Sequence, residues 1–376
     1  METKNINKQK LKGKQIGLTF GAFAPLHVGH QQLIYKTLMN NDAGLVIVTG
    51  YDGDRGDKIG LSLEKRFRYL REAYNDELNL RVAMLNENGI SEYPKDWEEW
   101  SKALITIVKE SIVEDFESVN FTLYVSETEY IDDFKKRLPS NFTVEMQDRQ
   151  MIEISAAEIR EDPMKHWDKI NRAFRRHFTK KVLIAGSAST GKSTLTRRLA
   201  RSINAPFSEE YARFYEEEAN ITDEELKATD YANFILGQSA ANYKEICSPS
   251  NNGITFFDTD AIVTQTYADL YLSKEENERL KDLFDITIAK ENFDLILIIP
   301  PITDYVDDGF RNMEWQTSRM EYHNKLLWYF KQYGFEDKIV LLDKQGKNSQ
   351  EGFYLRYQQA IKAIEVRLNI KIEHLK

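Results

Sequence analysis

The sequence predicts an α/β protein of two consecutive domains, each built on a mainly parallel sheet. Short apolar runs alternate with amphipathic stretches from Gln15 onward, the pattern of successive βαβ units. In mid-chain one such run, Val182 to Ala185, is followed by Gly-x-x-x-x-Gly-Lys-Ser at Gly186 to Ser193 and then by a helix-like segment. That order, strand then loop then helix, is the setting a phosphate-binding loop requires. A chain of 376 residues is also long enough for two domains that each bury a core. The expected division is a mobile polar arm over 1–14, a first domain over 15–161, a connector over 162–180 and a second domain over 181–376.

Composition narrows the classes. Hydrophobic residues make up 41% and charged residues 30%, as in soluble globular proteins. A net charge of −9 argues against a surface devoted to polyanions, so no DNA binding is expected. The single cysteine, Cys247, has no partner for an internal disulfide, and no Cys/His cluster has metal-ligand spacing. A cytoplasmic location fits. The arm is lysine-rich and lacks an apolar segment, unlike a signal peptide or anchor. The longest apolar run, Leu295 to Ile299, is too short to span a bilayer and reads as a buried strand.

In the first half, strands are expected at 16–20, 45–49, 80–85, 121–125 and 142–146, with helices over 30–39, 62–74, 96–113 and 127–138. A parallel sheet of this kind binds ligands at the carboxyl ends of its strands. There, after the first strand, stands Gly21-Ala22-Phe23-Ala24-Pro25-Leu26-His27-Val28-Gly29-His30. Gly21 admits close approach of the backbone, and His27 and His30 share one face of an opening helix turn, where imidazoles donate to phosphate oxygens. Ser155, before the helix of Ala156-Ala157-Glu158-Ile159-Arg160, caps that helix while Arg160 offers a guanidinium to the same phosphates. Trp97 and Trp100 stand i and i+3 on a helix; they either pack in the core or stack on a flat cationic ring. The loop from Gly50 to Gly60, with Asp52, Asp54, Arg55 and Asp57, reads as mobile: a plain surface loop or a substrate lid. The connector reads as a short basic helix packed between the domains.

In the second half, Gly186, Ser187, Ser189, Thr190, Gly191, Lys192, Ser193 and Thr194 form the phosphate loop. Its backbone N–H groups face the phosphates, Lys192 reaches β and γ, and Ser193 holds Mg²⁺. A short strand over 205–207 leads to Glu209-Glu210-Tyr211-Ala212-Arg213, where Glu210 is the first candidate to accept a hydroxyl proton and Tyr211 and Arg213 contact the substrate. The run 254–257 ends in Asp258-Thr259-Asp260. Asp258 is assigned to Mg²⁺, and Asp260 to substrate hydroxyls or, as the alternative, to capping the next helix. Arg311, and secondarily Arg319, sit in a polar segment read as a closing lid over ATP. Strands at 294–299 and 338–342 and a helix over 350–368 complete the unit.

The Gly-x-Phe-x-Pro-x-His-x-Gly-His and Ile-Ser-x-x-x-x-Arg segments resemble those of the Rossmann-like nucleotidyltransferase superfamily. With the phosphate loop, Glu209 to Arg213 and Asp258 to Asp260, the arrangement resembles the NadR-type family, in which a nicotinamide mononucleotide adenylyltransferase domain precedes a P-loop ribosylnicotinamide kinase domain. The resemblance implies a multifunctional transferase of NAD biosynthesis: ATP phosphorylates ribosylnicotinamide, and the mononucleotide then takes an adenylyl group from a second ATP, giving NAD and pyrophosphate. His27, His30 and Arg160 would stabilise the phosphoryl charge, with Gly21, Phe23 and Ser155 around the ATP. It also implies a functional link to a nicotinamide riboside transporter and is compatible with a homo-oligomer. About fourteen polar residues precede the first strand, too few for a recognition helix and its support, so the family's operator-binding activity is not expected. Ala156 and Ala157 stand where the family often has Ser or Thr. Two alternatives share parts of this pattern: a coenzyme A synthase, joining pantetheine-phosphate adenylyltransferase to a dephospho-CoA kinase, and a kinase whose first domain only senses NAD or ATP.

Overall fold

The computed structural model describes residues 10–91, 95–125, 127–146, 154–302, 318–370 and 372. Its contacts divide the chain into two compact units, Met1–Phe178 and Thr179–Lys376.

The first unit runs β1 (Gln15–Gly21), α1 (Val28–Met39), β2 (Ala43–Gly50), α2 (Leu63–Ala73), β3 (Leu80–Asn86), α3 (Trp97–Ser111), β4 (Asn120–Val125), α4 (Glu129–Arg137), β5 (Phe142–Met146), α5 (Ala156–Glu161) and α6 (Arg172–Phe178). Its five strands are parallel in the order β3-β2-β1-β4-β5. Every residue of β2 is buried because helices cover both faces, and the side-chain period of two splits the strand between two cores. Leu45 and Ile47 join the cluster built on α3 and α4, while Val46 and Val48 join the one that includes Ile34, Leu70 and Phe174.

The second unit runs β6 (Lys180–Gly186), α7 (Lys192–Ile203), β7 (Phe207–Ser208), α8 (Tyr211–Ala219), α9 (Ala228–Ile246), β8 (Ile254–Asp258), α10 (Ala261–Tyr271), α11 (Lys274–Ile288), β9 (Leu295–Ile299), α12 (Arg319–Gln332), β10 (Ile339–Leu341) and α13 (Ser349–Leu368). These strands are also parallel, ordered β10-β9-β6-β8-β7. Leu183 and Ala185 of β6 enter one core and Val182 and Ile184 the other. In each sheet the first strand of the unit is central and the chain departs from it in both directions. That makes the carboxyl ends of β1 and β6 the binding crevices.

Two expectations change. The strand expected at 205–207 is two residues long, Phe207–Ser208; Pro206 has no N–H for the ladder and contributes only its carbonyl, which accepts from Phe256 N. The basic segment 162–178 is part of the first unit. Asn171 N donates to Leu26 O, Arg176 forms a two-point ion pair with Glu72 at 2.7 and 2.8 Å, and its guanidinium lies 3.8 Å from the Tyr69 ring centroid. Arg176 of the basic connector therefore docks α6 on α2. Among the described residues no helix is long and apolar enough to cross a membrane.

Candidate functional sites

In the first unit the turn after β1 brings the histidines together. His27 is the N-cap of α1, with Nδ1 accepting from Gly29 N at 3.2 Å. That bond assigns the ring proton of neutral His27 to Nε2. The His30 ring stacks on His27 with centroids 3.7 Å apart, and Phe23 meets His30 edge-on at 5.0 Å. Phe23 is only 1% exposed, so it buttresses His30 from beneath. Arg160 Nη1 donates to Ala24 O at 2.7 Å, which draws α5 onto the same turn. Ser155 caps α5 as expected, in a reciprocal box with Glu158. His27 also forms an antiparallel bridge with Ile170, so the segment before α6 braces the motif.

The loop after β2 is pinned. Arg66, fully buried on α2, pairs with Asp54 at 2.6 Å and donates to Ala22 O and Thr49 O. The other Asp54 oxygen accepts from Gly56 N and Asp57 N. A side chain at Gly50 or Gly56 would meet Arg66. One guanidinium thus ties the ends of β1 and β2 to the loop that read as mobile. Arg66→Ala leaves the Asp54 carboxylate buried and unpaired, which is expected to destabilise the first unit by about 3–5 kcal/mol. The drop in the urea midpoint measures it, against Lys102→Ala at an exposed pair as the control that leaves the midpoint in place.

Trp97 and Trp100 are 6% and 4% exposed. They stack on each other at 5.1 Å and pack against Phe20 and Phe134, and Trp100 Nε1 donates to Glu87 at 2.8 Å. The core-packing alternative is the one the fold adopts, since the i, i+3 face of α3 lies on the sheet.

In the second unit Gly186 has φ 147° and Gly191 φ 88°; a Cβ at Gly186 would run into Ile299 O. Ser189 also adopts positive φ, at 58°. Thr190 Oγ1 and Lys192 Nζ both donate to Ser187 O, at 2.8 and 3.2 Å, so the loop closes on itself with the lysine across it. Arg319, the first residue of α12, reaches the loop through Ser187 Oγ at 3.4 Å. Arg311 lies outside the described residues.

Asp258 ends β8 opposite Ile184 of β6. Burial, then the nearby charge of Glu210, pushes its carboxyl up to about 6, while Lys192 and the hydroxyl of Ser193, which donates to it, pull the other way. Its Oδ1 is buried without a hydrogen-bond partner among the described residues. An orphaned carboxylate oxygen beside a phosphate-loop serine is a fitting donor set for Mg²⁺. Among the described residues there is no cluster of three or more His, Cys, Asp or Glu able to hold a metal, so phosphate and water oxygens would complete such a site.

A pocket opens beside the loop, with Lys192, Glu210 and Arg213 at its polar end, Tyr231, Phe234 and Tyr267 as aromatic walls, and Glu216 and Asp223 also lining it. Pattern reading found the first three residues and missed the walls, because a helical apolar period marks a side chain as buried without saying what it faces. Two substrate candidates lie elsewhere. The Tyr211 ring packs over Gly237 of α9. Asp260 is fully buried and caps α10 by accepting from Val263 N at 2.9 Å. Glu291 accepts from Ala261 N at the same helix end, and burial together with Asp260 holds its carboxyl well above the usual range. Asp260 Oδ1 therefore satisfies an orphan helix donor, while its buried Oδ2 has no hydrogen-bond partner among the described residues.

Fold and sites together define a two-unit nucleotide-handling protein, a histidine-turn α/β unit followed by a phosphate-loop unit. A family profile described as an AAA domain matches residues 181–344. The "Trifunctional NAD biosynthesis/regulator protein NadR" of Salmonella typhimurium (strain LT2) is 30% identical over 332 residues, 86% of this chain and 78% of the relative. Its Escherichia coli (strain K12) counterpart is 29% identical over 323 residues, 84% and 76%. A crystal structure of NadR protein in complex with NR superposes with a TM-score of 0.89 at 55% identity, covering 98% of this chain and all of that one. Another, in complex with NAD and AMP-PNP, gives 0.86 at 53% over the same shares. The chain belongs to the NadR family, which sets aside the coenzyme A synthase alternative.

Proposed function

We propose that this chain is a bifunctional NAD salvage enzyme: its second unit phosphorylates ribosylnicotinamide with ATP, and its first unit transfers an adenylyl group from ATP to the resulting mononucleotide, releasing pyrophosphate. The observation that carries the reading is the assembly of Lys192, Ser193, Asp258 and Glu210 beside an aromatic pocket, in a chain 55% identical to a NadR protein crystallised with NR.

In the second unit the nucleoside lies between Tyr231, Phe234 and Tyr267. Glu216 and Asp223 give that pocket the acidic character a cationic pyridinium ring needs. Glu210 orients the ribose hydroxyl and takes its proton as the hydroxyl oxygen bonds to the γ-phosphorus and the bond to ADP breaks. Lys192, Arg319 and the loop N–H groups hold the phosphates. Ser193 and Asp258 hold Mg²⁺, which when bound neutralises phosphate charge. In the first unit His27 Nε2, His30 and Arg160 donate to the phosphates of the second ATP, and no protein nucleophile is required. Phosphorylation adds charge that keeps the nucleoside inside a cell, consistent with a cytoplasmic enzyme linked to a nicotinamide riboside transporter.

Incubating pure protein with ATP, Mg²⁺ and ribosylnicotinamide tests the reading by chromatography. Mononucleotide is expected first, and NAD after it. A reaction that yields no mononucleotide refutes the kinase assignment; mononucleotide that never becomes NAD refutes the adenylyltransferase.

A further inference from the structure

Two acidic groups of the phosphate-loop unit sit on separate segments: Glu210 on the loop between β7 and α8, and Asp258 as the last residue of β8. Asp258 is paired with Ile184 of β6, but the chain leaves the sheet directly after it, and β7 stops at Ser208, two residues before Glu210. The chain after Asp258 also takes an unfavourable conformation, with Thr259 at φ 91°, which a β-branched residue adopts only when its surroundings enforce it.

What spans the gap is one face of α9. Gln238 and Asn242, four residues apart and therefore adjacent on that face, are 2% and 5% exposed. The Gln238 carboxamide grips both backbone groups that flank Glu210: Tyr211 N donates to its Oε1 at 2.7 Å, and its Nε2 donates to Glu209 O at 3.1 Å. The same Nε2 donates to Asn242 Oδ1 at 2.9 Å, which also accepts from Ser208 Oγ at 2.5 Å. Asn242 Nδ2 then donates to Thr259 O at 3.3 Å, one residue beyond Asp258. Gly237 lets the Tyr211 ring lie directly on the helix; any Cβ there would strike it.

We infer that Gln238 and Asn242 form a positioning clamp for phosphoryl transfer, fixing the Glu210 loop relative to the chain that leaves β8 after Asp258. Neither residue lines the pocket, so neither is a catalytic residue; both act through the backbone of the loops they hold. Amide side chains suit the task, because each offers a donor and an acceptor and stays neutral in a buried site next to two carboxylates. The inference rests on the kinase reading of this pocket and on Glu210 as its hydroxyl-orienting group.

A double-mutant cycle tests it. Gln238→Met keeps the volume and removes all three bonds. It is expected to lower kcat for mononucleotide formation about 10- to 100-fold with little change in the KM for ATP, as for loss of a positioning group. NAD synthesis from supplied mononucleotide should be unchanged. Introduced into Glu210→Gln, the same substitution is expected to cost about twofold or less, because a residue acting only through Glu210 has nothing left to position. Equal losses in the two backgrounds, or wild-type kcat in Gln238→Met, overturn the clamp. Asn242→Leu, which removes the link to Thr259 O but leaves Gln238 on both backbone groups beside Glu210, must repeat the pattern with a smaller loss and decides the matter if the Met variant does not fold. Full activity in Glu210→Gln itself refutes the assignment of Glu210, and the clamp with it; activity lost in Glu210→Gln but equal penalties for Gln238→Met refute the clamp alone.

Discussion

Lys192→Ala is expected to abolish mononucleotide formation, by about 10³-fold or more, while NAD synthesis from supplied mononucleotide continues. The reasoning starts from the loop. Lys192 is 6% exposed and already folded across the loop onto Ser187 O, so its ammonium is placed before the nucleotide arrives and loses little on reorganising. In the transfer it faces negative charge on the β and γ phosphates inside a site walled by aromatic rings, where a charge counts for more than in water. Alanine removes that charge and also the cation beside Asp258, whose carboxyl then rises further. The loop itself should survive, because its shape depends on Gly186, Ser189 and Gly191 and on the Thr190 bond to Ser187 O. Steady-state rates for the two half-reactions, measured on one preparation with a matched circular-dichroism spectrum, check this.

His30→Ala reverses the pattern: adenylyl transfer should fall about 10²–10³-fold, the usual cost of one preorganised donor to a developing phosphoryl charge, with kinase turnover unaffected. His30 is half-buried, and its ring lies against His27 and Phe23. The His27 ring is held independently by Gly29 N, and the His27 backbone by its bridge to Ile170. The variant should therefore stay folded and keep one of its two imidazoles in place. Wild-type NAD formation from mononucleotide by this variant would remove the histidine turn from the mechanism.

Much of this architecture was legible in the sequence, and for a physical reason. Central parallel strands buried on both faces must be continuous apolar runs, so Leu295 to Ile299 and Leu45 to Thr49 announce themselves. The two ligand loops are equally local, since each is a short pattern in which glycine permits a backbone turn. What stayed hidden depends on distance in the chain. Arg66 on an amphipathic helix looks like any solvated arginine, and nothing near it signals the ion pair with Asp54. Asp260 at a strand end has the same local appearance whether or not it caps a helix; only the Val263 N–H at 2.9 Å shows the cap. Trp97 and Trp100 pose the same ambiguity, settled by Phe20 and Phe134 arriving from other elements. The Gln238 and Asn242 contacts reach loop residues 17 to 34 positions away in a pattern no local spacing encodes.

The division of labour between the two units is tested most directly by mixing. Lys192→Ala and His30→Ala proteins, each given ATP, Mg²⁺ and ribosylnicotinamide, should make NAD alone at least about 10²-fold more slowly than wild type, the first stalling at the nucleoside and the second at the mononucleotide. An equal mixture should restore NAD synthesis, because mononucleotide released by one supplies the other. NAD produced at the wild-type rate by either variant alone, or a mixture of two folded proteins no faster than the variants alone, would contradict two independent sites acting in series.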